Sequence, residues 1–295
     1  EFEEAWLDEG INSYSEAKAM DKSYGADRSM IDFPGLKIGE IPYQRMSVIG
    51  TGKFDPIVRF SWKFIGGSSY SLNVYQKAAL MLQTLERILG EDVMSRIMKT
   101  YYERWKFRHP TTKDFVLVAE EVSGRDLAWF FDQTLHSPDR LDYGISDLKA
   151  LEMDAPQGVF DPKPGEAAGK APAADAAKTA AKTEKAAKPA VAKEYRNEVL
   201  VARLGEWIFP QEILVVFSDG TKVRETWDGR DRWKRFIYVK PVKVVSAEVD
   251  PDHKYLLDAN FTNNSLVLEP KRAAVTKYAL GFVGWFQALL SLVSL

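Results

Sequence analysis

The sequence predicts an α+β protein: a helical half, then a small antiparallel β-sandwich, then an apolar C-terminal helix. Three observations carry this. Over residues 1–140, apolar side chains recur every three or four positions, the period of amphipathic helices. From Leu141 the pattern shortens to alternating runs punctuated by Asp-Gly, the signature of short antiparallel strands. Residues 278–295 carry no charged side chain at all.

Composition narrows the function classes. A chain of 295 residues accommodates about two domains, and 45% hydrophobic residues suffice for a real core. Lysine and arginine number 40 against 42 acids, a net charge of −2, so there is no nucleic-acid footprint. Cysteine is absent, which excludes disulfides, thiolate metal sites and cysteine nucleophiles.

Each element has its own justification. Glu1 to Met20 reads as one helix. Residues 21–60, broken at Pro34-Gly35 and Gly50-Thr-Gly52, read as loops around short helices. Leu72, Tyr75, Ala79, Leu82 and Leu85 place a helix over Ser71–Leu89, with Gly90 as its C-cap. Glu91 to Phe107 is a second amphipathic stretch. Thr112, with Asp114 soon after, opens a third that ends before Ser123-Gly124. Asp126 to Leu135 closes the helical half. Strands follow at 143–151, 197–203, 212–217, 222–227, 235–239 and 242–249. Ser218-Asp-Gly220 and Asp228-Gly229 are expected hairpin turns.

Residues 155–192 are rich in Ala, Lys and Pro and nearly devoid of large apolar side chains. Such a segment cannot offset its ordering entropy by burial, so it is expected to be a disordered insertion between the first two strands. The expected organisation is therefore 1–140 helical, 141–270 sandwich with an insertion at 155–192, and 271–295 apolar helix. That last helix just reaches the length needed to span a bilayer, about 17–25 residues. With Lys271, Arg272 and Lys277 before it and Trp285 within it, membrane contact through 278–295 is expected. The implied location is at a membrane or in the cell envelope. The alternative is a buried helix that packs on the missing N-terminal part.

The chemistry-bearing stretch is Trp6-Leu7-Asp8-Glu9-Gly10. It resembles the Trp-Leu-x-Glu-Gly segment of the gluzincin zinc aminopeptidases, the aminopeptidase N-like family. There, one helix carries His-Glu-x-x-His and a second supplies a glutamate. Catalytic zinc takes three protein ligands and leaves a position open for water. Histidines at i and i+4 share one helical face, so the third ligand must approach from another helix. The resemblance implies that Glu9 is that ligand. It also implies that Glu16, seven residues on and near the same face, supports the ligand set without touching the metal.

A second stretch, Tyr75-Gln-Lys77-Ala78, resembles the family's tyrosine segment, where the hydroxyl stabilises the oxyanion of the tetrahedral intermediate. Tyr75 takes that role by resemblance. The family usually has glycine where this chain has Ala78. Leu85–Gly90, Tyr101-Tyr102, Phe107–Phe115 and Val122–Phe131 continue the likeness through the first half of the chain.

The histidines His109, His136 and His253 lie far apart, and none belongs to His-Glu-x-x-His. The expectation is therefore a fragment: the helical remainder of a thermolysin-like catalytic domain, followed by the sandwich. The whole protein would hydrolyse N-terminal peptide bonds with zinc-activated water, and the chain alone would be inactive with an incomplete zinc site. The alternative is a membrane-linked scaffold or interaction protein derived from the same fold without a working zinc site.

Overall fold

The computed structural model describes residues 3–33, 36–49, 55–153, 193–270 and 272–293. Helices fill the first part. Helix α1 runs over Trp6–Tyr24, and α2 over Glu40–Ile49. Between them, β1 (Ile31–Phe33) and β2 (Leu36–Ile38) pair antiparallel, with Phe33 opposite Leu36. This hairpin corrects the expectation of loops around short helices. Three-residue strands are too short for their alternation to register as a period.

One continuous helical rod follows. It comprises α3 (Gly67–Ser71), a π-helical segment (Leu72–Lys77) and α4 (Ala78–Leu89). It starts earlier than the spacing suggested and is wider in the middle. Gly90, at φ 93°, ends α4 and opens α5 (Glu91–Trp105). Helix α6 (Thr112–Ser123) begins at a capping box in which the Asp114 carboxylate accepts from the backbone and the hydroxyl of Thr111, both at 2.8 Å. It stops at Gly124 in the left-handed region. Helix α7 spans Ala128–His136.

Among the described residues, seven strands follow: β3 (Tyr143–Met153), β4 (Glu194–Arg203), β5 (Gln211–Phe217), β6 (Lys222–Trp227), β7 (Trp233–Lys240), β8 (Val244–Val249) and β9 (Ser265–Val267). They form two antiparallel sheets, ordered β3-β4-β7 and β6-β5-β8-β9. The fold is mixed helix and antiparallel sheet. Alternation is clean on β5, where Gln211, Ile213, Val215 and Phe217 are buried and the residues between them are half-buried. The expected disordered insertion lies outside the described residues, but the strands on either side of it pair directly, Met153 opposite Glu194.

One Asp-Gly turn behaves as expected and the other does not. Ser218-Asp-Gly220 joins the paired strands β5 and β6. Asp228-Gly229 instead carries the chain from β6 in one sheet to β7 in the other. The Gly229 carbonyl accepts from the Tyr143 hydroxyl at 3.2 Å and from Arg203 Nε at 3.0 Å. A side chain there would sit 2.3 Å from the Phe209 carbonyl oxygen. The glycine serves close packing beneath a crossover as well as its positive φ of 73°.

A single apolar cluster runs through both parts, from Trp6 and the buried face of α4, through Phe115, Phe130 and Phe131, to Phe209, Val215 and Val249. Trp129 and Phe130 of α7 meet Phe209 at ring distances of 5.0 and 5.8 Å. The seam is tied by side chains from the helices. Arg45 donates to the Leu256 carbonyl and stacks 3.4 Å over the Phe261 ring, and Gln133 donates to Ile208 O at 3.0 Å.

The tail forms helix α8 (Arg272–Val293). Residues 276–287 are exposed on every face of it. Among the described residues, no helix is long and apolar enough to cross a membrane.

Candidate functional site

Helix α1 is held at both ends. Near its start, Trp6 is fully buried, donates Nε1–H to Thr112 Oγ1 at 2.9 Å, and meets the Phe115 ring edge-on at 5.5 Å. Glu4, just before the helix, accepts from the Thr112 amide. Further along, the Tyr14 hydroxyl donates to Glu86 at 2.5 Å, and Lys18 bridges Glu86 at 2.5 Å and Glu91 at 2.9 Å. The helix therefore lies across α4 and the π-helical segment with Trp6 docked on α6.

Midway between these anchors, Gly10 is buried against the rod. A Cβ placed there would stand 2.5 Å from Ala78 Cβ and 3.1 Å from the Val74 carbonyl oxygen. The preceding residue, Glu9, is half-buried. Across the contact, the π-helical segment presents Tyr75, also half-buried, while Val74 beside it is fully buried. A π-helical turn inserts one residue into a helix and re-aims the side chains around it, and such turns recur at functional sites. Here it turns Tyr75 toward α1.

Glu9 and Tyr75 meet. The Glu9 carboxylate is the largest influence on the Tyr75 phenol: as a hydrogen-bond acceptor, with burial second, it pushes the phenol up to about 12. The phenol is the donor in this pair, since an ionised carboxylate only accepts. The Tyr70 ring packs edge-on against Tyr75 at 6.4 Å. Glu16 is not part of this contact. It is exposed, and its charge, together with that of Asp21, reinforces the effect of burial in raising the carboxyl of Glu40.

Lys77 closes the π-helical segment, and in the sequence it stands out only as part of the tyrosine motif. It is buried, with its ammonium 5.3 Å from the centre of the Trp207 ring. Burial, reinforced by the Arg140 charge, pushes it down to about 8. A narrow cavity of about 40 Å³ lies beside it, lined by Asn73, Arg140, Trp207 and Leu257 among others. The segment bearing Tyr75 is thus packed against both α1 and the strand region. The sequence signal for this was a lysine placed between the buried Val74 and Ala78.

Among the described residues, no group of three or more His, Cys, Asp or Glu side chains could hold a metal ion. The residues present fit zinc only in part: Glu9 offers one carboxylate, and no histidine joins it.

Residues 1–134 match the Peptidase family M1 domain. The match lies within the helical part of the chain. Its likeness to aminopeptidase N of Escherichia coli (strain K12) is 36% identity over 61 residues, 21% of this chain and 7% of that protein. Aminopeptidase N of Lactococcus lactis subsp. lactis matches at 29% identity over 65 residues, 22% of this chain and 8% of that one. The matches thus span less than a tenth of either relative. Among solved structures, Legionella pneumophila aminopeptidase A in complex with aspartic acid superposes with a TM-score of 0.47 and 13% identity, over 88% of this chain and 24% of that one. Glu9, Gly10, Tyr75 and Lys77 all fall inside the M1 segment.

Proposed function

We propose that this chain contributes half of a zinc aminopeptidase site, with Glu9 as a metal ligand and Tyr75 as the hydrogen-bond donor to the oxyanion. The observation that carries the proposal is the apposition of Glu9 and Tyr75 where Gly10 packs against Val74 and Ala78. Two residues distant in sequence, each singled out by its own motif, are brought together by α1 and a π-helical turn. The M1 match over residues 1–134 supports the same reading, and peptides are the substrate class that follows from it.

The division of labour follows from the residue types. A carboxylate is a hard, anionic ligand suited to complete a zinc site with imidazoles. A neutral phenol held beside it can donate to an oxygen that becomes negative during attack on a peptide carbonyl. Bound zinc would supply Lewis-acid activation of water. The chain's own part is to hold Glu9 and aim the Tyr75 proton. Since none of its histidines lies in His-Glu-x-x-His, a zinc site built on Glu9 needs histidines from outside these 295 residues.

The test is metal binding. The chain of residues 1–295 should show no tight stoichiometric zinc by calorimetry and no turnover of aminoacyl amides. A longer form that includes a His-Glu-x-x-His helix should bind zinc and turn over substrate, and Glu9→Gln should strip it of both. Tight zinc in the short chain, or unchanged zinc in the Glu9→Gln variant, would overturn the assignment.

A further inference from the structure

The geometry points to Gly10 and Ala78 as a positioning pair that sets the distance between the helix bearing Glu9 and the turn bearing Tyr75. The inference rests on the reading of Glu9 and Tyr75 given above, but it concerns their spacing and not the metal.

Glycine is the poorest helix former after proline, yet Gly10 sits inside a helix of 19 residues. Its φ is not in the left-handed region, so backbone conformation does not require it. What requires it is the approach of the rod. The nearest atom to a Cβ at position 10 would be Ala78 Cβ at 2.5 Å, and the next the Val74 carbonyl oxygen at 3.1 Å. Neither can swing aside, because one is bonded directly to the backbone and the other is part of it. These two atoms bracket Tyr75 along the chain, and Glu9 is the immediate neighbour of Gly10. A methyl added at position 10 therefore presses on the π-helical segment beside Tyr75.

Helix α1 cannot relieve that pressure by tilting without loss. Its start is tied by Trp6 to Thr112, and its later turns by Tyr14 and Lys18 to Glu86. With both ends held, displacement concentrates in the middle, where Glu9 meets Tyr75. The position carries one methyl in total, at Ala78, and the contact is complementary only when residue 10 has none. The pair is thus reciprocal: the clash made by Gly10→Ala should be relieved by Ala78→Gly.

The experiment uses the chain of residues 1–295 with tyrosine labelled by ¹³C at Cζ, read by NMR near neutral pH without metal. Loss of one signal in Tyr75→Phe assigns Tyr75. Glu9→Gln marks where that signal goes when the carboxylate acceptor is removed. Gly10→Ala should move the Tyr75 signal toward the Glu9→Gln position and lower Tm. Gly10→Ala with Ala78→Gly should return both, and Ala78→Gly alone should leave the signal at its wild-type place. If Gly10→Ala does not fold, recovery of a folded chain with a wild-type Tyr75 signal in the double variant carries the same conclusion. A Gly10→Ala variant that loses stability while the Tyr75 signal stays put shows a merely structural glycine and overturns the proposal. So does a double variant that recovers neither, or a Tyr75 signal indifferent to Glu9→Gln. Because the readout needs neither zinc nor substrate, failure of the zinc assignment leaves this outcome standing, and the reverse.

Discussion

Tyr75 carries a proton that the Glu9 carboxylate first, and burial second, hold in place, so it enters any reaction near neutral pH as a neutral donor. A donor aimed where charge develops acts on the transition state more than on the bound substrate. In a longer form with a complete zinc site, Tyr75→Phe is expected to lower kcat by about 10²–10³-fold while KM changes little. Steady-state kinetics with a chromogenic amino-acid amide measure this, and an unchanged kcat would return Tyr75 to a packing role. Trp-Leu-x-Glu-Gly and Tyr-x-Lys were legible as two separate motifs in the sequence. Their contact was not, because it depends on how closely two helices approach, and that distance is set by the missing side chain of Gly10. Seven residues restore the face but advance it about 10 Å along the axis, and the charge of Glu16 is felt at Glu40.

Helix boundaries were readable where the chain spends specific residues on them. Gly90 and Gly124 end helices, and Asp114 accepts from Thr111 at the start of α6. Removing the cap with Thr111→Ala should cost about 1 kcal/mol, seen as a lower denaturant midpoint with an unchanged slope. The two hydrogen bonds from Thr111 hold the Asp114 carboxyl below the usual carboxylate range. Stability from this cap is therefore present above the unfolded-state pKa and is lost as pH falls through the folded one, so the variant and the wild type should converge in acid. A midpoint that does not move at neutral pH would mean the cap is solvated and idle. Other features left no such mark. The π-helical turn keeps apolar residues at ordinary helical spacing, so nothing in the pattern betrays the extra residue. Asp228-Gly229 has the composition of a hairpin turn, and only the crowding by Phe209 and Tyr143 reveals a crossover between sheets.

At the scale of the whole molecule, the change from helical to alternating period near Leu141 was plain in the sequence, while the seam between the two parts was not. The seam is built largely on backbone carbonyls: Leu256 accepts from Arg45, His253 from Arg87 and Ile208 from Gln133. Carbonyl acceptors have no residue signature, so no motif announces them. The seam also holds a buried acid that makes its stability depend on pH. Asp258 is 3% exposed, and its carboxyl is pushed up to about 7, by burial first, then by the nearby charge of Asp142. Amide donors from Asn260 at 2.8 Å and Tyr143 at 3.4 Å, and the charge of Arg45, act in the opposite direction without prevailing. In the unfolded chain the same carboxyl titrates near its ordinary value of 3.8. Between these two values the folded state binds more protons than the unfolded one, so this group's contribution to stability falls as pH rises from about 4 toward 7. Asn at position 258 keeps one acceptor oxygen and does not titrate. The expected outcome is that Tm of Asp258→Asn minus Tm of the wild type rises between pH 5 and pH 8. The offset at pH 5 reports only the exchanged hydrogen-bond geometry, and the slope reports the proton. A difference that stays flat across that range would mean that Asp258 is ionised in the folded protein throughout, held there by Arg45 across the seam.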